Sequence, residues 1–393
     1  MVRRDGYTNN GAERKRKKKD KKVRKPVRRE SWPVRKVIES VTEEDRAKTD
    51  QIFENARKKE ISSAKGRKGF PPHALFLALM LMYLKGFDSI EDFVKFLKKN
   101  RKWLKRLGLK RNSKGKQKYI VPDPSTFSKF MKRYGKEAFP KVFLYFVTIL
   151  VDRGVIKGKH LSIDATIIKA WVKRAVKRSE RKRKRRKYND PDAAWGYCAS
   201  KEIFIYGYKV HILIDVDTVL PIGILVTSAN RDEGKLFSNV VKIVLDRFDF
   251  DVKKFFADAG YDYNWIRKMI ITEIKATPYI DINPRNCKGN TKEEKKERRK
   301  KLLKKWYRRE FLFGYYVDPD SEEFDEEYDK RTFSEQGNSV GKGSLKLDNL
   351  KLKGIERATA HACLSLTGML LVAITAEDVG RPDLRRCIKC FTT

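Results

Sequence analysis

The stretch "HLSIDATI" (residues 160–167) decides the fold. From about Val37 up to Val155 the apolar residues recur at helical spacing, whereas from this stretch onward they fall into short β-rich runs. Asp164 sits between Ile163 and Ala165 in a strand pattern. A carboxylate in an internal strand is costly unless it is paired or holds a cation. The stretch therefore marks a strand and a candidate site together.

Downstream, "YGYKVHILIDV" (206–216) and "LPIGILVTSAN" (220–230) read as a hairpin, with Asp215 and Asp217 at its turn. "DEGKLFSNVVKIVLDRF" (232–248) is an amphipathic helix with Asp232 as N-cap. "VKKFFADAGYD" (252–262) is a strand ending at a glycine, "NWIRKMIITEI" (264–274) a helix, and "ATPYIDIN" (276–283) a further strand. This order describes an α/β domain with a mixed sheet. Asp258, at the end of "FFAD", is a second strand-borne carboxylate, while Asp262 reads as a turn residue. Lys209 and His211 alternate along one strand and read as a packed or surface pair.

Upstream, Ser89 is a plausible cap for "SIEDFVKFLKKNRKWLKRLGL" (89–109). "DPSTFSKFMKRYG" (123–135) repeats the design, with Asp123 as cap, Pro124 at the first helical position and Gly135 at the stop. Lys129, Lys132 and Arg133 lie on this last helix. A helix-turn-helix-like DNA-binding domain and an ordinary bundle with wet cations account for the pattern equally well.

The chain has 393 residues, 92 Lys and Arg against 51 Asp and Glu, and a formal net charge of +41. An excess of this size implies a polyanionic partner, most simply nucleic acid. The cations concentrate in residues 1–36, read as a disordered basic arm, and in tracts 173–187 and 292–309, read as loops or projecting helices. The longest apolar run, "ALFLALMLMYL" (74–84), is shorter than the roughly 20 residues of a membrane span, and no apolar segment follows the basic N-terminus. These features suggest a cytoplasmic chain with reduced, incidental cysteines, and "CIKC" (387–390) alone is a weak metal signal.

Near the C-terminal end, "YDKRTFSEQGNSVGK" (328–342) places Tyr328, Arg331, Glu335 and Lys342 on one helical face at about 100° per residue. Gly337, Gly341 and Gly343 should weaken that helix. The acids just before it read as a solvated helix face capped by Ser321, and the apolar segment 356–376 as a helix packed on the sheet. Glu335 is a candidate third carboxylate beside Asp164 and Asp258. Two or three carboxylates suffice for phosphodiester chemistry with two hard cations roughly 3.5–4 Å apart.

With these motifs in order, the chain resembles the DDE transposases of bacterial and archaeal insertion sequences. "SIDAT" resembles the first-aspartate strand, "DPDAAWGY" with "YGYKVHILID" the approach to the second strand, and "ADAGYD" the second-aspartate motif. "SEEFDEEYDKRTFSE" resembles the segment ending in the catalytic glutamate, and the "DPSTFSKF" helix the N-terminal domain common in the group. Tyr328, Arg331, Glu335 and Lys342 match a Y-(2)-R-(3)-E-(6)-K signature, with Lys346 as the alternative to Lys342.

The resemblance implies an RNase H-like mixed sheet flanked by helices (158–380), with basic insertions near 173–187 and 292–309. An all-helical DNA-binding domain (37–157) and the basic arm (1–36) would precede it, and a tail (381–393) would follow. It implies Asp164, Asp258 and Glu335 as catalytic, metal-binding residues for two Mg²⁺ or Mn²⁺ ions. Tyr328, Arg331, Lys342, Lys129, Lys132 and Arg133 would contact DNA. Double-stranded DNA, as terminal repeats and target, and a homodimer on that DNA are the implied partners, with no membrane role. Transposition would run by 3′-hydroxyl transfer. A catalytically inactive DNA-binding relative and a basic RNA-binding scaffold are the alternatives.

Overall fold

The strand predicted at "HLSIDATI" is the centre of a six-stranded sheet in the computed structural model, which describes residues 31–60, 69–113, 116–172, 188–198, 202–287, 289, 291–310, 317 and 321–392. Residues 1–30 of the basic arm and the tract 173–187 lie outside the described residues. All of those described belong to one unit, Ser31–Thr393.

Among the described residues, seven helices precede the sheet: α1 (Val34–Glu39), α2 (Glu43–Glu60), α3 (Pro72–Leu84), α4 (Ile90–Lys99), α5 (Lys102–Arg106), α6 (Pro124–Tyr134) and α7 (Ala138–Asp152). Their starts follow capping chemistry. The Asp92 amide donates to Ser89 Oγ at 3.1 Å and the Ser125 amide to Asp123 Oδ1 at 2.8 Å. Three sequence expectations need correction. The segment is not all-helical: after Gly108, at φ +71°, a hairpin of β1 (Lys110–Ser113) and β2 (Lys116–Tyr119) interrupts it. That polar stretch has no apolar stripe with which to hold a helix. Helix α1 begins inside the residues assigned to the arm, because Val34, Val37 and Ile38 are buried in the core. Glycine ends α6 for a different reason as well. Gly135 has an ordinary φ of −56°, but a Cβ there would lie 1.9 Å from the Glu356 carbonyl oxygen.

In the sheet, β3 (His160–Lys169) pairs antiparallel with β5 (Ile203–Asp215) and parallel with β7 (Lys254–Ala257), which pairs parallel with β8 (Thr277–Ile280). The outer edge of β5 is shared. β4 (Ala194–Cys198) covers residues 203–207 and β6 (Leu220–Ser228) covers 208–215. Helix α8 (Glu233–Leu245), capped by Asp232, lies on one face, where a Cβ on Gly223 would come within 2.7 Å of Val244. Helix α9 (Asn264–Met269) leads into β8. The tract at 292–309 is helical, as α10 (Lys292–Glu310). On the opposite face lie α12 (Thr332–Leu345), preceded by α11 (Glu322–Tyr328), and α13 (Ile355–Asp378).

Helix α13 is the spine of the molecule. Its residues 358–376 are all buried, and it touches α3, α6, α7, β5 and β6. Helices and sheet therefore share one hydrophobic core. Among the described helices it alone is long and apolar enough to cross a membrane, and it lies wholly inside the protein. A helix that is apolar all round is expected in such a position.

The residues expected to form a C-terminal tail are folded in: Leu384, Ile388, Cys390 and Phe391 are buried. There the Trp32 amide donates to the Cys390 carbonyl at 2.7 Å, and the Trp32 and Phe391 rings stack at 5.1 Å. Cys387 and Cys390 are joined in a disulfide rather than left as thiols.

Replacing Gly135 by Ala forces α6 away from the start of α13. The expected loss is about 3 kcal/mol of stability, read as a lower denaturation midpoint with secondary structure retained.

Candidate active site

Backbone register brings the two aspartates together. Ile163 of β3 pairs in parallel with Ala257 of β7, so Asp164 and Asp258 follow side by side where β7 ends. Asp258 then caps a single 3₁₀ turn, accepting the Gly260 amide at 2.9 Å. Asp164 Oδ1 accepts the Ala165 amide and Oδ2 accepts Asn338 Nδ2, both at 2.7 Å. Burial, then the neighbouring Asp258 charge, pushes the Asp164 carboxyl up to about 6. Burial also raises Asp258, against the Gly260 amide and the Arg331 charge that hold it down.

The third carboxylate arrives on α12. Asp164, Asp258, Arg331, Glu335 and Lys342 all line one open cavity of about 1210 Å³. Arg331 Nη1 holds Glu335 Oε1 at 2.8 Å, and its guanidinium lies 5.5 Å from the Tyr328 ring centroid. Tyr328 does not line the cavity. It stacks on Phe324 at 5.0 Å and supports Arg331 from behind. The glycines do not break α12. A Cβ on Gly337 would meet Ile214 at 2.8 Å, and one on Gly341 would meet Leu347 at 3.3 Å, so they let the helix press onto β5 and α13. The helix ends at Lys346, left-handed at φ +60° and paired with Asp88 at 3.2 Å outside the cavity lining. Lys342 is thus the lysine that faces the cavity. Lys129, Lys132 and Arg133 are exposed on α6 and do not line it.

The Transposase DDE domain model matches residues 155–371, more than half of the chain, and the Transposase domain (DUF772) model matches residues 24–133. The chain belongs to the DDE transposase family. The first match contains all three carboxylates, and the second contains the exposed cations of α6. A solved structure, the cryo-EM structure of a piggyBac transposase synaptic complex with hairpin DNA, is similar at a TM-score of 0.40 and 11% identity, over 92% of this chain and 80% of that one. No curated protein matches the chain.

The transposase cavity also holds polar groups that the sequence did not single out. Glu233, the first residue of α8, is ion-paired with Lys209 at 2.7 Å, and Lys209 also donates to the Arg231 carbonyl at 3.1 Å. Burial raises the Glu233 carboxyl, and Lys209 opposes that rise. The residue type was visible as a first-turn acid; its aim into the cavity needed the sheet. Asn338 carried no signal beyond standing one helical turn after Glu335. His211 is buried beside Thr227 at 3.2 Å and does not line the cavity; burial, then Lys209, takes its imidazole down to about 3, which keeps it neutral. Asp262 is more than a turn residue. It is buried, accepts the Asn283 amide at 2.8 Å and Asn286 Nδ2 at 2.9 Å, and faces Arg267 at 3.6 Å. It thereby ties the Asp258 loop to the segment after β8. Among the described residues, no three His, Cys, Asp or Glu side chains are already drawn together as a metal cluster. Glu335 is turned to Arg331 instead.

Asp164 is an acid whose carboxyl is raised in the folded state, so the folded chain binds that proton more tightly than the unfolded one. Its ionisation costs stability as pH rises from about 4 through about 6. In chelator, the protein is expected to lose stability across this window, and Asp164→Asn to reduce the slope. Denaturant midpoints measured at several pH values check this, and an unchanged slope would contradict the assignment.

Proposed function

We propose that the protein is a DNA transposase that cuts at the ends of an insertion sequence and joins the freed 3′-hydroxyl to target DNA. The β3–β7 register carries this reading, because it seats Asp164 and Asp258 together in the cavity that Glu335, Arg331 and Lys342 also line. The sheet supports it too. Strand β5 runs antiparallel to both β6 and β3, β7 and β8 run parallel to β3, and this order supports an RNase H-like reading of the sheet.

Asp164, Asp258 and Glu335 are the residues that would hold two Mg²⁺ or Mn²⁺ ions. Their donors are all carboxylate oxygens, which suits hard cations. Burial, then the Asp258 charge, raises the Asp164 carboxyl, and a bound cation would offset that crowding of negative charge. Such ions, when bound, would stabilise charge on the attacking and leaving oxygens. The chain's own groups do the rest. Lys342 and the Arg331 guanidinium bind non-bridging phosphate oxygens, and Arg331 releases Glu335 as it does so. Asn338 Nδ2 fixes the orientation of the Asp164 carboxylate.

In the first reaction a water oxygen bonds to phosphorus and the 3′-oxygen of the element end leaves. In the second that 3′-hydroxyl bonds to a target phosphorus and a target 3′-oxygen leaves. The exposed cations of α6 would grip terminal-repeat duplex, and a homodimer would hold two ends. The net charge of +41 suits such a polyanion.

With Mg²⁺ or Mn²⁺ and terminal-repeat DNA, strand transfer is expected. Asp258→Asn and Glu335→Gln should each lower it on the order of a thousandfold while duplex binding is retained. Full activity in Asp258→Asn would sink the site. A wild-type protein that binds the repeats but never transfers strands would favour the inactive relative.

A further inference from the structure

Most large apolar side chains left exposed among the described residues gather on one β-ribbon. Trp195, Tyr197, Ile203 and Phe204 are 50%, 45%, 49% and 67% exposed, and all lie on β4 or the start of β5. Strand register sorts them. Trp195 stands opposite Tyr206 and Tyr197 opposite Phe204, so these four rings share one face of the ribbon. The ring centroids of the first pair are 5.5 Å apart and those of the second 5.2 Å. Tyr188 extends the ladder, stacking on Tyr206 at 4.3 Å.

The ribbon is held firmly at its base. Tyr206 and Tyr208 donate their hydroxyls to the Asp190 carbonyl and carboxylate, each at 2.8 Å. The other Asp190 oxygen accepts the Gly354 amide at 3.2 Å, and Asp192 accepts the Ile355 amide at 3.1 Å. On the reverse face, a Cβ on Gly196 would lie 2.4 Å from the Ala229 carbonyl oxygen, so β4 is pressed against the end of β6. A rigid, wet aromatic ladder gains little for folding, because its rings stay half in water.

We infer that this aromatic face is a stacking platform for unpaired nucleobases of the DNA strand that enters the candidate active cavity. The inference rests on the DNA-cutting reading above and adds a binding site to it. Trp195 and Tyr197 line the same cavity as Asp164, Asp258 and Glu335, so a strand seated at the carboxylates continues past them. Duplex DNA hides its base faces inside the stack; only unpaired bases offer a π-face to a ring. Charge favours nucleic acid as the occupant, since a phosphate backbone complements a chain of net charge +41.

Position follows from the strand. Ile212 stands opposite Asp164, and Tyr206 and Phe204 lie six and eight residues back along β5. At about 3.3 Å per residue and about 3.4 Å per stacked nucleotide, the platform engages bases roughly six to eight nucleotides from the reacting phosphate.

The test uses the full chain and a labelled 20-nucleotide single strand, compared by anisotropy with a strand of equal length carrying abasic sites. The wild type should bind the base-bearing strand about tenfold more tightly. Trp195→Ala with Phe204→Ala should abolish that preference while leaving duplex affinity and the salt dependence of binding unchanged, and Trp195→Phe with Phe204→Tyr should restore it. A wild type with no preference for bases, or a double variant that keeps it, overturns the platform. So does a double variant that turns a dimer into a monomer in sedimentation while the preference persists, for the face would then be a self-association surface. Strand transfer is read in parallel. Transfer without base preference sinks the platform alone; base preference without transfer sinks the transposase reading and leaves the platform standing.

Discussion

The parallel pairing of β3 with β7 forces two carboxylates into one half-buried corner, where burial and the Asp258 charge raise the cost of ionising Asp164. The surrounding groups read as answers to that constraint. Asn338 and the Ala165 amide neutralise part of Asp164, and the Gly260 amide and Arg331 part of Asp258. Lys209 takes up the charge of Glu233, which stands near both aspartates. A cluster of half-buried acids this dense is weak evidence of stability design and better evidence of a site. The fold supplies what the corner needs from three directions: a strand for each aspartate, a helix for the glutamate and its cations, and the start of α8 for the lysine-paired acid.

Helix α13 makes that convergence possible. Because it is buried on every side, it serves as a common floor for the N-terminal helices, for α12 and for the sheet edge at β6. Each fully buried Leu or Ile on it contributes about 1.5–3 kcal/mol. The close approaches at Gly135, Gly341 and Gly368 are the contacts at which neighbouring elements come down onto it or onto its flanks. Residues far from the cavity thus set the height at which α12 presents Glu335 and Lys342.

Much of this was legible in the sequence, for identifiable reasons. Capping residues announce themselves locally, and Ser89, Asp123, Asp232 and Ser321 all accept the amides that helix starts leave free. Asp164 and Asp258 stood out because carboxylates are expensive in strands. What could not be read was long-range. The glycines of α12 look like breakers in isolation and become close-packing positions only once Ile214 and Leu347 are in place. That Lys342 lines the cavity while Lys346 ends the helix and pairs with Asp88 depends on where the helix stops, which the sequence does not mark. The aromatic ribbon shows its alternation only over two short stretches, Trp195–Tyr197 and Phe204–Tyr206, and its shared face emerges from pairing them across a register. Likewise, the apolar residues of α1 and of 384–391 are too few to reveal their partners, and contact with α3, with α13 and with each other buries them.

That last contact gives the molecule an unexpected order of assembly. Trp32 is held by the Cys390 carbonyl and by the Phe391 ring, so the start of α1 is tied to residues far later in the sequence. During synthesis α1 emerges with Val34, Val37 and Ile38 uncovered, and its cover is completed only when α13 and residues 388–391 have been made. A partially translated or C-terminally clipped chain would therefore carry a loose first helix.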